Sequence, residues 1–102
     1  MADPIKAIVG HIRRRCDGLA LLSIERGDSH PWQSLLFDGG RHHIALRLQG
    51  NRVEEAIAEL RDEIGAAEFI IPGHLIAEIS LAGIDQDMNT ALVRLDAMTI
   101  AQ

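Results

Sequence analysis

The residues in this chain with chemistry to offer are its five histidines, one cysteine, and the acids and bases around them. His11, His30, His42, His43 and His74 show neither the i, i+4 helical spacing nor the Cys-x-x-Cys pattern that brings metal ligands together. His42 and His43 are neighbours on a strand-like stretch, so they point to opposite faces and cannot chelate one ion. No metal site and no cofactor is expected. Cys16 continues an apolar helical stripe and reads as a buried, inert thiol, although nearby arginines are of the kind that lower a thiol pKa. No serine lies in a Gly-x-Ser-x-Gly turn, so serine-hydrolase chemistry has no sequence support. Asp38-Gly39-Gly40-Arg41 resembles a phosphate-cradling loop in composition only, because it joins two strands rather than opening a helix.

One constellation stands out. A Gly39-Gly40 hairpin turn would place Phe37 opposite His42, Leu35 opposite Ile44 and Gln33 opposite Leu46 on one face. The other face would then pair Leu36 with His43, Ser34 with Ala45 and Trp32 with Arg47. The last pair is suited to a cation–π contact. Glu78 and Ser80, or Arg94 and Asp96, would join this face according to strand order. Trp32, His43, Arg47 and Glu78 are therefore the candidate ligand-binding or interface residues, with no residue assigned to catalysis.

The elements that must position them follow from local signals. Asp3-Pro4 opens a helix by capping and by proline at its first position. Ile5, Ile8, Val9, Ile12 and Cys16 give it one apolar face over residues 4–16, the basic triplet Arg13-Arg14-Arg15 fills its last turn, and Gly18 follows as a left-handed stop. Three strands are expected next: residues 19–26, 32–38 and 41–48, with a turn at Gly27-Asp28-Ser29-His30-Pro31. A second helix starts near Asn51, with Glu54 as a capping-box acid, and carries Val53, Ala56, Ile57, Leu60 and Ile64. Residues 68–71 suggest a short strand, followed by a Pro72-Gly73 type II turn, a strand from His74 to Ala82, a loop at 85–89 and a last strand over 90–100. No internal repeat is visible.

The resulting expectation is a two-layer α+β sandwich over residues 1–102 as a single domain. Its antiparallel sheet has five to six strands with two helices on one face, in the order α-βββ-α-ββ or α-βββ-α-βββ. With 102 residues, 47% of them hydrophobic and only three aromatic, the core must be aliphatic. The net charge of −5 works against binding to nucleic acid, which needs a basic stripe. No apolar run approaches a membrane span. One cysteine and no leader pattern fit the cytoplasm.

These features favour a non-catalytic binding or regulatory module acting as a homodimer through the second sheet face, where Leu36, Ile76 and Met98 are expected, with room for a small-molecule or protein partner. One alternative is a cofactor-independent isomerase or lyase using His43 with Glu78 or Asp96 in a pocket on that face. Another is an adaptor or chaperone-like subunit whose acidic helix surface, Glu54 to Glu63, meets a basic protein.

Overall fold

A computed structural model describes residues 3–66 and 71–102. Helix α1 spans Pro4–Cys16, as the cap and stripe predict. The Asp3 side chain accepts from Ile5 N–H at 3.0 Å, and Gly18 takes φ +77 just past the end. Strands β1 (Leu21–Gln33) and β2 (Asp38–Gln49) form a hairpin, helix α2 covers Val53–Ala66, and β3 (His74–Asp87) and β4 (Thr90–Ala101) form a second hairpin. Gly73 at φ +77 and the bond from His74 N–H to the Ile71 carbonyl, 3.2 Å, bear out the Pro72-Gly73 turn.

The sheet has four long antiparallel strands in the order β1-β2-β4-β3, not five or six. The difference lies in the first hairpin. Gly27–Pro31 is not a turn but the middle of β1, and Gly39-Gly40 lies inside β2. Leu21 faces Gln49 and Gln33 faces Asp38, with one bulge at Glu25, so the chain reverses at residues 34–37. Each glycine of β1 and β2 meets a close neighbour instead of making a turn. A Cβ on Gly27 would meet Ile5 of α1 at 3.2 Å, and one on Gly40 would meet the His42 ring at 2.9 Å. At Gly39 it would collide with the Thr99 carbonyl of β4 and lie 2.7 Å from the Trp32 ring. The expected strand at 68–71 falls outside the described residues except for Ile71, which bridges to His74. The loop expected at 85–89 shrinks to Met88-Asn89, with Met88 left-handed at φ 48.

The chain is thus one αββ unit used twice, α1-β1-β2 and α2-β3-β4. The topology relates the units by an approximate two-fold axis between β2 and β4. Ile5, Ile8, Val9, Ile12 and Cys16 recur in spacing as Val53, Ala56, Ile57, Leu60 and Ile64, and both sets are buried. Strand residues Ile44, Leu46 and Leu48 meet Ala91, Val93, Leu95 and Ala97 beneath them. Burying each large aliphatic side chain contributes about 1.5–3 kcal/mol. The repeat escapes a reading of residue types because only the pattern recurs. Between the helices, Arg15 binds Glu59, Asp62 and Glu63 of α2, with Glu59 at 2.7 Å. Gly10 sits inside α1 with nothing within 4 Å of an added Cβ. Gly10→Ala should therefore raise stability by about 0.5–1 kcal/mol, through the lower entropy of the unfolded chain. Thermal unfolding checks it, and an unchanged or lower midpoint counts against it.

His42 is the one imidazole in the core, and it is 4% exposed. Its Nδ1 lies 2.8 Å from Ser29 Oγ on β1 and its Nε2 lies 2.8 Å from Thr99 Oγ1 on β4. Both ring nitrogens are satisfied, and the ring ties three strands together. Burial holds its pKa below the ordinary value, an effect that Asp3 opposes and that His74 and His43 reinforce.

Candidate functional site

The strand register lays out the helix-free face of the sheet as rows of four residues. At one end a row runs Trp32, Gly39, Ile100, Leu75. Below it lie His30, Arg41, Met98 and Glu78, then Asp28, His43, Asp96 and Ser80. The next two rows are Arg26, Ala45, Arg94, Gly83 and Ser23, Arg47, Leu92, Asp85.

All four expected residues share this face, but they form no single site. His43 is its centre. Its Nδ1–H donates to Asp96 Oδ1 at 2.7 Å, and the His30 ring meets it edge to face at 5.9 Å between centroids. Glu78 joins it across a hollow of about 180 Å³ that Arg41, Ser80 and Met98 also line. A second hollow, about 280 Å³, lies on the other side of His43 between Arg26, Asp28 and Arg94. Arg47 is elsewhere. It faces Ser23 rather than Trp32, donates to Glu25 at 3.0 Å, and reaches Thr90. Trp32 lies over Gly39, eight residues along β2 from Arg47, or roughly 27 Å at strand spacing. The expected cation–π pair is therefore absent, because the turn it depended on lies elsewhere.

The second face also differs in character from the expectation. Leu36 is in the hairpin turn and Ile76 packs towards the helices, which leaves Met98 alone of the three on this face. The middle of the face is charged and internally paired: Arg26 with Asp28 at 2.8 Å, Arg94 with Asp85 at 3.1 Å, His43 with Asp96. His43 and Asp96 have side chains 56% and 51% exposed, so the pair stands in solvent rather than in a closed pocket. The acidic surface of α2 is likewise engaged within the chain, Glu59, Asp62 and Glu63 by Arg15 and Glu55 by Arg52 at 2.6 Å. Those contacts hold Glu55 below the usual carboxylate range, with the Arg52 hydrogen bond as the main cause. Cys16 packs under α2 with its Sγ 3.6 Å from the Ala56 carbonyl. Burial and Glu59 push the thiol up, against Arg15, which is the behaviour of an inert cysteine.

The apolar surface is at the ends. Residues 34–37 cap the β1–β2 hairpin, and Leu35, Leu36 and Phe37 are all exposed, Leu35 completely. Ser34 closes this tip: its N–H donates to the Phe37 carbonyl at 2.8 Å, and its Oγ accepts from Phe37 N–H at 3.1 Å. These bonds between Ser34 and Phe37 close the turn, and three adjacent large side chains project from it. Leu75 and the Trp32–Ile100 row adjoin them at the same end. Three exposed hydrophobics in succession are unusual on a surface that has no use for them. The signal in the sequence is the run Leu35-Leu36-Phe37 itself, concealed by a register that buried half of it.

Among the described residues, no three His, Cys, Asp or Glu side chains are placed to hold a metal ion, and no helix is long and apolar enough to cross a membrane. No protein-family model matches the chain, and no curated protein is significantly similar to it. Among solved structures, a chain from the virion of a native gene transfer agent particle superposes with a TM-score of 0.64. It is 8% identical, and the match covers 94% of this chain and 92% of that one. The likeness is one of fold.

Proposed function

We propose that this protein is a non-catalytic assembly module that associates with copies of itself, the dimer being the smallest such form. The observation that carries the reading is the ordered tip bearing exposed Leu35, Leu36 and Phe37. Ordering the turn in advance lowers the entropy lost on binding, and clustered large apolar side chains are what interface cores are made of. The sheet edges are poorer candidates. β1 carries a bulge at Glu25 and a proline at Pro31, and β3 is irregular after Ile76 and again after Leu81. Such features protect an edge against pairing with another strand. That a chain of similar fold comes from the virion of a gene transfer agent particle supports the same reading. Sedimentation velocity should show wild-type protein above monomer mass at micromolar concentration, and the triple variant Leu35→Ser, Leu36→Ser, Phe37→Ser at monomer mass. A wild-type protein that stays monomeric when concentrated removes the proposal.

A second reading rests on the His43–Asp96 bond. A carboxylate on Nδ1–H leaves Nε2 as the acceptor, the arrangement of an oriented general base. It expects nitrogen NMR to find one dominant His43 tautomer, and Asp96→Asn to yield a mixture. Equal tautomer populations in both proteins would dismiss it.

A further inference from the structure

The two helices repeat one apolar stripe but carry opposite charges. At equivalent places in the repeat, as Ile5 is to Val53 and Cys16 to Ile64, Lys6 answers to Glu54, Arg14 to Asp62 and Arg15 to Glu63. Arg13 and Arg61 share a sign. With about 3.6 residues per turn, the buried stripe fixes the side of the helix on which each position falls. Arg15 and Glu63 fall on the inner flanks, where α1 meets α2, and pair within the chain. Arg14 and Asp62 fall opposite the buried stripes, on the outer crests of the helix layer, and both are exposed.

The pairing inside the chain is unbalanced. Arg15 alone answers Glu59, Asp62 and Glu63, so surplus negative charge stays on α2, with the Asp62 side chain 72% exposed. Arg14 meets His11 and, among the described residues, no carboxylate, which leaves its positive charge on α1. Nothing bulky holds a second such surface away. Gly10, Ala58 and Gly65 lie on the same side of the layer, and an added Cβ at either glycine would meet nothing within 4 Å.

We infer that the helix layer is a further contact between copies of this chain, in which Arg14 of each copy pairs with Asp62 of the other. A two-fold axis running along the helices, between α1 and α2, lays the basic helix of one copy over the acidic helix of the next. Because Arg15 reaches Asp62 within the chain, Arg14 and Asp62 stand at about the same height along that axis. Rotation therefore brings them face to face twice. The contact is isologous and closes on two copies. It is separate from the Leu35-Leu36-Phe37 tip and does not depend on it. Exposed ion pairs are weak singly and are screened by salt. In copies already joined elsewhere, the raised effective concentration favours them.

The test starts from the variant Leu35→Ser, Leu36→Ser, Phe37→Ser, which removes the contact proposed at the tip. At low ionic strength and near-millimolar concentration, sedimentation equilibrium should find this variant dimeric, with a dissociation constant that rises about tenfold at physiological salt. In that background Arg14→Glu alone and Asp62→Arg alone, each checked for folding by circular dichroism, should be monomers. An equimolar mixture of the two restores both opposite-charge pairs and should dimerise, as should one chain carrying both substitutions. Three results would each overturn the helix contact: a tip variant that stays monomeric in low salt, single-charge variants that dimerise as their parent does, or a mixture that stays monomeric. None of them bears on the tip, whose own test compares wild-type protein with the tip variant at micromolar concentration.

Discussion

Gly39→Ala should destabilise the protein by about 3 kcal/mol, at the upper end of the usual cost of overpacking. The added methyl has nowhere to go. On one side it meets the backbone carbonyl of Thr99 across the β2–β4 pair, and on the other the Trp32 ring, which lies over this glycine. A side chain can swing aside, but a carbonyl in a sheet ladder moves only if the strand moves. The two central strands must separate locally, or Trp32 must leave its seat. Because Trp32 is the only tryptophan, its fluorescence reports the displacement directly. Gly83→Ala is the control. There the methyl would collide only with the Arg94 guanidinium, the end of a flexible side chain, at the cost of its exposed pair with Asp85. Urea denaturation should show a large loss for Gly39→Ala and at most a small one for Gly83→Ala. Equal losses would mean that close approach is not what reserves position 39 for glycine.

The second large effect is on acid stability. The unfolded chain protonates its histidines near pH 6.5. The folded chain protonates His42 only at lower pH, because burial disfavours the charged ring. Between those two values the unfolded state holds one more proton than the native state, so stability rises with pH. The contribution is complete above about pH 6.5 and is lost as pH falls towards the folded-state value. For one proton the slope is at most about 1.4 kcal/mol per pH unit. His42→Gln keeps a polar group between Ser29 and Thr99 but cannot titrate. It should be less stable at neutral pH and show a shallower decline as the pH falls below about 6.5. An identical slope in the two proteins would place the acid sensitivity elsewhere.

Much of the positioning framework was legible from local residue patterns. Helix α1 follows from Asp3-Pro4, the Ile5-to-Cys16 stripe and Gly18, all of which act within a few residues of one another. The same holds for the α2 stripe and for Pro72-Gly73. The first hairpin was misread for a definite reason. Gly27, Pro31, Gly39 and Gly40 are turn-forming residues, whereas Leu35-Leu36 is not a turn sequence. Yet the glycines are needed where Ile5, Trp32 and the His42 ring come close, and none of those neighbours is near in sequence except the ring. With the glycines committed to packing, the reversal fell to Ser34, whose side chain and backbone close the loop around two leucines.

The site residues divide along the same line. That His43 stands on the face opposite His42 was readable from strand alternation, which has a period of two and needs no tertiary knowledge. Whether Glu78 and Ser80 or Arg94 and Asp96 join it depends on strand order, and the bulge after Ile76 breaks the alternation that would set Ile76 beside Glu78. Which residues stand beside His43 was not readable, because a shift of register moves every partner. A turn at Gly39-Gly40 would set Trp32 opposite Arg47, whereas Trp32 of β1 lies beside Gly39 at one end of β2 and Arg47 lies towards the other end.

The sequence by itself determined two amphipathic helices, an aliphatic core and an antiparallel sheet with one face left uncovered, since capping and periodicity are local physics. Only the tertiary structure decided that the sheet has four long strands in two αββ units. It also decided that Arg26 pairs with Asp28, His43 with Asp96 and Arg94 with Asp85 at the centre of the uncovered face, and that the exposed large apolar side chains lie mostly at the two ends. Strand pairing is a long-range choice, settled by which side chains fit together across the sheet, and in this chain that fit outweighed the turn preferences of its glycines.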